Sequence, residues 1–295
     1  MVPKLRDPNS RKIYFLWFLV TVLIILFIIN FVQYILSWKD GTSFVSQENR
    51  TADVTRKFQE LIIANRRREP LHVPILMYHY VEIVTDERDT IRKSLSIAPT
   101  VFEQQISTLL GAGYTPVVMD AVSEYFDGKV RLPQKPVVFT FDDGYRDFYT
   151  DVFPILKKHH IRAVLYMVSG FMDKTKNYLT AEQLREIADS GLVEINAHSV
   201  NHKNLSLLGS KAGEVVWVKS KHDVESFVDH PVQHFAYPYG AYTPQLEKMA
   251  ESAGFWTAAT TDLGVTQSYQ GRYRLTRIRP GRDTGNALLW RIRYN

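Results

Sequence analysis

Short apolar segments alternate with capped amphipathic helices along most of this chain, and that alternation restricts its fold more than any other feature. Successive strands that are joined through helices pair in parallel. This many βα units predict a parallel sheet that closes, or nearly closes, into a (β/α) barrel. The predicted strands are residues 73–80, 114–118, 137–141, 163–168, 193–197, 233–237, 256–260 and 275–279.

Three threonines are placed to cap helices between these strands. Glu or Gln follows the first two after three positions, which is a capping-box pattern, and a proline follows the third. A glycine that predicts the helix end comes eleven residues after each threonine. The predicted N-caps are Thr100, Thr180 and Thr243, and the terminating glycines are Gly111 together with Gly113, Gly191 and Gly254.

Two adjacent carboxylates, Asp142 and Asp143, end the apolar strand at 137–141 and are followed by Gly144. Two like charges this close in a dry strand end need a cation or a shared proton to compensate them. The pair therefore indicates a metal site or a proton-transfer role. Taken alone, the same residues also fit a solvated Asp-Asp-Gly turn, which is common.

Two histidines, His198 and His202, follow the strand at 193–197. At a spacing of i and i+4 they would lie on one helical face and bind one divalent ion, with a carboxylate from a neighbouring strand end as third ligand. Three protein ligands are typical of a catalytic metal, and the chain has no cysteine for a thiolate site. An exposed loop with two imidazoles is the alternative.

Three segments resemble the motifs of the NodB-type polysaccharide deacetylases, carbohydrate esterase family four. They are residues 140–144 (Thr-Phe-Asp-Asp-Gly), the pair His198 and His202, and residues 237–240 (Tyr-Pro-Tyr-Gly). The resemblance covers roughly residue 73 to the C-terminus. It implies the family fold, which is a distorted (β/α) barrel with fewer than eight complete units.

The resemblance also implies a role for each matching residue. Asp142 would be the general base, and the backbone at Tyr239 would help to form an oxyanion hole. Asp143, His198 and His202 would bind a divalent metal, which we expect to be zinc, although cobalt and nickel also suit this ligand set.

The chain is most similar to the circularly permuted branch of the family, which acts on biofilm poly-N-acetylglucosamine. In that branch the catalytic acid is a histidine in an N-terminal Met-Tyr-His segment, and His79 matches it. A barrel collects its chemistry at the carboxyl ends of its strands, where His79 falls. A purely structural histidine is the alternative, and His222 and His234 are then the next candidates for the acid.

One position departs from the family pattern. Family members often carry an arginine three residues before the tyrosine of the third motif, where it holds the base, and this chain has Ala236 there. Arg277 resembles an arginine of the permuted branch, and this resemblance implies that Arg277 tethers Asp142. The residues alone fit a second interpretation equally well, in which Arg277 and Arg279 are two surface arginines on a terminal strand.

An uncharged stretch at 13–36 predicts a transmembrane helix, because it is long enough to cross a bilayer. Its exit lacks the small residues of a signal-peptide cleavage site. Basic residues precede it, so the positive-inside rule predicts residues 1–12 in the cytoplasm and the remainder outside the cell membrane. Residues 37–70 then form a helical stalk, and residues 71–295 form the deacetylase-like domain.

The formal net charge of +5 comes from scattered lysines and arginines, so we do not expect nucleic-acid binding. The leading hypothesis is a metal-dependent hydrolase of carbon–nitrogen bonds that removes acetyl groups from N-acetylhexosamine units of a cell-envelope or exported polysaccharide. The alternatives are an O-acetyl esterase on a xylan-like polymer and a non-catalytic glycan-binding domain.

Overall fold

The computed structural model describes residues 20–32, 34–35, 44–66, 69–207 and 210–295. The chain divides into two compact units, one that ends at Leu61 and one that runs from Ile62 to Asn295. The predictions for residues 1–19, 33, 36–43 and 67–68 lie outside the described residues.

In the first unit, residues 20–32 and 34–35 are helical. Helix α1 begins at Phe44 in the first unit and ends at Arg66 in the second. No helix in the described part of the chain combines the length and apolar character that crossing a membrane requires. The predicted transmembrane segment at 13–36 is described only in part, so it stays a prediction.

The second unit alternates strands and helices, as the sequence predicts. Its elements are β1 (Leu71–His72), β2 (Ile75–Tyr78), β3 (Tyr80–Val81), α2 (Thr90–Leu95), β4 (Ser96–Ile97), α3 (Pro99–Gly111), β5 (Thr115–Pro116), α4 (Met119–Phe126), β6 (Pro136–Phe141), α5 (Phe153–His159), β7 (Ala163–Met167), α6 (Ala181–Asp189), β8 (Val193–Ala197), α7 (Ser210–Val228), β9 (His234–Ala236), α8 (Pro244–Ser252), β10 (Thr257–Leu263), β11 (Thr266–Gln267), β12 (Leu275–Arg277) and α9 (Gly285–Tyr294).

Seven strands form one parallel sheet in the order β2-β6-β7-β8-β9-β10-β12, and β5 adds to β6. The sheet returns on itself, because Ile278 N–H donates to the Ile75 carbonyl and Met77 N–H donates to the Ile278 carbonyl, both at 2.8 Å. The expected distorted (β/α) barrel with fewer than eight complete units fits this near-barrel.

Side chains alternate between the two faces of each strand, and the two faces belong to separate cores. One core packs the strands against the outer helices. The other lies inside the barrel, where Val138 and Leu275 pack above one face of α4. Asp142 is in phase with Val138, and Arg277 is in phase with Leu275, so the pleat directs both charged side chains toward the barrel interior.

The observed N-caps of three helices can be compared with the predicted ones. Thr180 and Gln183 form the complete capping box, and Thr243 accepts a hydrogen bond from Leu246 N–H as predicted. The prediction for Thr100 is wrong: α3 begins at Pro99 with Ala98 as its N-cap. Proline is favoured in the first turn because it lacks the N–H that the turn leaves unpaired, so the helix starts earlier.

Candidate active site

The site begins where β6 ends. Asp142 and Asp143 are 2% and 4% exposed. Asp143 has a φ of 74° and Gly144 a φ of 75°, so the chain turns sharply through two left-handed residues. Left-handed backbone is costly for an aspartate and persists where the surrounding fold over-determines it, which is most common at functional sites.

Asp143 faces both predicted histidines. Its Oδ1 lies 3.2 Å from His202 Nε2 and 3.6 Å from His198 Nε2. One potential ligand atom from each residue lies within 4.8 Å of the other two. The barrel therefore brings the end of β6 and the loop after β8 together, as the motif spacing predicts.

The predicted helical face for the histidine pair is wrong. Residues 198–204 form no helix; His198 directly follows β8, and the chain then turns through Ser199 and His202 with φ of 68° and 51°. Ser199 Oγ accepts a hydrogen bond from His202 N–H at 3.0 Å. This turn, rather than one helical turn, brings the two rings to 4.9 Å.

The donor set fits a divalent metal. Zinc binds nitrogen and carboxylate oxygen at about 2.0–2.2 Å, which places ligand atoms around one ion roughly 3.0–3.6 Å apart. His198 Nδ1 donates to the Ala236 carbonyl at 2.7 Å, which leaves its Nε2 lone pair toward Asp143. Burial lowers the pKa of His198 and of His202, so both rings are held neutral, the state that binds metal.

Burial raises the pKa of Asp143, although the neighbouring His198 acts in the opposite direction. A cation between these three residues would remove that cost, because it supplies the compensating charge. The three side chains that the sequence proposes as ligands are therefore those whose chemistry and spacing suit one ion.

Asp142 is held by Arg277, which is 1% exposed. Arg277 donates from Nη1 to Oδ1 at 2.7 Å and from Nη2 to Oδ2 at 2.8 Å, a bidentate pair. Its Nε donates to the Thr260 carbonyl at 2.7 Å, which fixes the plane of the guanidinium. Burial acts to raise the pKa of Asp142, but the charge and hydrogen bonds of Arg277 outweigh it and hold the pKa well below its usual range.

Two arginines of one predicted strand have different environments. Arg277 is the last residue of β12 and lies inside the barrel, whereas Arg279 lies past the strand and is exposed. Ala236 is fully buried, and its carbonyl orients His198. In this chain the contact to the predicted base therefore comes from β12.

His79 follows β2 and neighbours Asp142. Burial lowers the pKa of His79 to about 4, and the charges of Arg277 and Arg279 act in the same direction against that of Asp142. The imidazole is therefore neutral at neutral pH without substrate. A general acid needs a protonated ring, and this partly buried position does not supply that proton in advance.

Tyr239 lies in a tight turn after β9 with a φ of 62°, and its ring contacts that of His202 at 4.6 Å. The next residue, Gly240, has a φ of 69°, and a Cβ there would lie 2.6 Å from Thr261 N. Glycine is required at that position because the turn packs directly on β10. The turn thus carries the predicted oxyanion donor to the metal-ligand side of the site.

Residues 129–258 match the family model described as polysaccharide deacetylase. The chain carries a polysaccharide deacetylase domain over this range. The matched range includes Asp142, Asp143, His198, His202 and Tyr239, whereas His79 and Arg277 lie outside it.

The chain is 29% identical over 232 residues to the putative polysaccharide deacetylase YxkH of Bacillus subtilis, a match that covers 79% of this chain and 80% of that one. It is 32% identical over 174 residues to the poly-beta-1,6-N-acetyl-D-glucosamine N-deacetylase of Escherichia coli, which covers 54% of this chain but 25% of that protein. The structure of Streptococcus pyogenes deacetylase PplD in complex with acetate matches with a TM-score of 0.70 and 26% identity, covering 76% and 99% of the two chains.

A second polar cluster was not predicted from the sequence. At the opposite ends of β8 and β9, His234 Nε2 lies 2.9 Å from Asp120 Oδ1 and 3.8 Å from Glu194 Oε1. The available signal was Glu194 within a largely apolar strand. This position also takes His234 away from the end of the barrel where an acid would act, and His222 is exposed on α7.

Proposed function

We propose that this chain is a membrane-anchored, metal-dependent N-deacetylase that acts on N-acetylhexosamine units of a cell-envelope or exported polysaccharide. The observation that carries the proposal is the adjacency of two arrangements: Asp143 facing His198 and His202, and Asp142 held ionised by Arg277. The N-deacetylase names of related proteins support the choice of an amide substrate.

Asp143, His198 and His202 would hold the ion, for which we propose zinc. When bound there, the cation supplies Lewis-acid polarisation of the acetyl carbonyl and lowers the pKa of water. Asp142 accepts a proton from the attacking water, since Arg277 keeps the carboxylate ionised and correctly oriented. The Tyr239 N–H donates to the acetyl oxygen as that oxygen gains negative charge.

His79 gives a proton to the leaving nitrogen. Because its pKa is about 4 without substrate, that proton must arrive during the reaction. Asp142 is the neighbouring group whose charge favours the protonated imidazole. The proton taken from water by Asp142 is therefore the one that His79 passes on.

The anchor proposal rests on the uncharged stretch at 13–36 and its basic N-terminal flank. Within the helical residues 20–32, large apolar side chains are exposed, with Leu23 at 62% and Phe27 at 71%. Protease added to intact cells should remove the catalytic domain. Survival of the domain until the cells are permeabilised would contradict the proposed topology.

The activity is tested by acetate release from the purified chain after metal removal and re-addition of zinc, cobalt or nickel. We expect metal-dependent release from chitin oligomers, peptidoglycan or poly-N-acetylglucosamine. Release from acetylxylan alone would replace the N-deacetylase proposal with an O-acetyl esterase. Binding of these glycans without release under any metal would indicate a non-catalytic domain.

A further inference from the structure

A cavity of about 260 Å³ lies beside His79, and His79 and Tyr80 form one of its walls. Residues 93–97 form a second wall, and Arg279 and Arg282 lie on the third. Ligand pockets for whole drug-sized molecules are about 300–1,000 Å³, so this cavity suits one sugar or one substituent.

The cavity is strongly cationic. Lys93, Arg279 and Arg282 line it, and among the described residues that line it none is Asp or Glu. Lys93 forms an ion pair with Glu87, whose side chain is 81% exposed, so that contact is easily exchanged. Neither arginine forms an ion pair with a carboxylate of the described chain, which leaves two guanidinium groups for a ligand.

The walls are fixed by buried contacts rather than by surface loops alone. Gln105 is fully buried, and its Nε2 donates to the carbonyls of Gly281 and Asp283 at 2.9 and 2.8 Å. These two bonds hold the backbone on both sides of Arg282. Tyr78 donates from its hydroxyl to Gln105 Oε1 at 2.9 Å, which couples the loop to the strand that precedes His79.

We propose that this cavity binds an anionic substituent, a carboxylate or a phosphate, on the polysaccharide at or next to the N-acetylhexosamine that is deacetylated. The inference rests on the proposed function, because His79 is shared by the cavity and the proposed active site. Guanidinium groups bind both anions through charged hydrogen bonds. A neutral homopolymer gains no charged contact in this cavity. Its deacetylated product carries ammonium groups, which the cationic side chains repel.

Equilibrium binding tests the cavity without requiring turnover. The probes are N-acetylglucosamine 6-phosphate, glucuronic acid and neutral N-acetylglucosamine, titrated into the 295-residue chain by calorimetry. We expect at least one acidic sugar to bind about 10-fold or more tightly than the neutral sugar, in a salt-dependent manner. Tighter binding of the phosphate or of the carboxylate sugar identifies the substituent.

The double variant Arg279→Gln, Arg282→Gln should lose this preference, whereas Arg185→Gln, which changes an exposed arginine on α6, should keep it. Anions bound at the metal instead would keep their affinity in the double variant. Persistence of the preference in that variant, or its absence in the unaltered chain, overturns the proposal.

Turnover then separates this inference from the activity. We expect the ratio of kcat/KM for an acidic over a matched neutral acetylated oligosaccharide to exceed about 10 and to fall toward 1 in the double variant. Preferential acidic binding without acetate release would refute the activity while supporting the cavity. Acetate release with equal kcat/KM for both substrates in the unaltered chain would refute the cavity while supporting the activity.

Discussion

Two carboxylate–histidine clusters lie at opposite ends of the parallel sheet, and β8 leads to both of them. At the carboxyl ends lie Asp143, His198 and His202, and at the amino ends lie Asp120, Glu194 and His234. Both bring their potential ligand atoms within 4.8 Å of one another, so distance alone does not separate a metal site from a structural network.

The hydrogen bonds separate them. His234 uses both ring nitrogens, one on Thr257 Oγ1 at 2.8 Å and one on Asp120. Glu194 accepts from Asp120 N–H at 2.9 Å and from Asn196 Nδ2 at 2.7 Å. The polar atoms of the amino-end cluster therefore have hydrogen-bond partners within the protein, so this cluster does not need an ion.

The carboxyl-end cluster uses its hydrogen-bonding atoms differently. His198 uses one nitrogen on a backbone carbonyl and presents the other to Asp143. Asp143 and His202 are both held in left-handed backbone. A metal-ligand site therefore keeps lone pairs available for an ion and tolerates strained backbone, whereas a structural cluster pairs its polar atoms with one another.

The largest expected effect comes from removing one proposed ligand. His202→Ala should reduce metal affinity by more than about 100-fold and take acetate release to background, because two ligands remain. Elemental analysis after dialysis, with activity on the same sample, measures both. The matched variant is His234→Ala, which should keep metal and activity and instead lose about 2–3 kcal/mol of stability with its hydrogen bonds. Equal metal loss in both variants would erase the distinction between the clusters.

The next effect concerns His79 as proton donor. His79→Ala should lower kcat by roughly 10²–10⁴-fold, because proton transfer to the leaving nitrogen is lost. Metal content should stay unchanged, since His79 is not among the ligands. Near-normal kcat would make His79 a structural residue at the end of β2.

The third effect distinguishes the two arginines of the terminal segment. Arg277→Met leaves Asp142 buried without its partner and should cost about 3–5 kcal/mol of unfolding free energy. Arg279→Met, two residues on and exposed, should change it by less than about 0.5 kcal/mol. Chemical denaturation at neutral pH measures both. Similar values would mean that the bidentate contact contributes little.

The smallest effect is the pH dependence that His79 contributes in metal-free protein. Its folded pKa of about 4 lies below the unfolded value, so between those pH values the unfolded chain binds a proton that the folded chain does not. Stability is therefore lost as the pH falls. From pH 7 to pH 5 this loss is about 2 kcal/mol for one histidine shifted from about 6.5 to about 4. His79→Gln should remove that part of the loss, and an unchanged pH dependence would show that this partly buried ring keeps its ordinary pKa.

Much of the fold could be predicted from local patterns. The apolar run at 137–141, the capping box at Thr180 and the Thr243 cap are properties of neighbouring residues, and the structure has each of them. Thr100 failed because a neighbouring proline offers a competing local start. The helical face proposed for His198 and His202 failed because i,i+4 spacing does not itself make a helix.

By itself the sequence determined which residues end the strands, since the alternation of strands and helices and the motifs after β6 and β8 are local. Only the tertiary structure decided which distant side chains meet. Arg277 is 135 residues from Asp142 along the chain, and the contact arises when β12 returns to β2. The different roles of Arg277 and Arg279 also follow from closure, because a guanidinium inside the barrel must pair with a carboxylate whereas one outside is solvated.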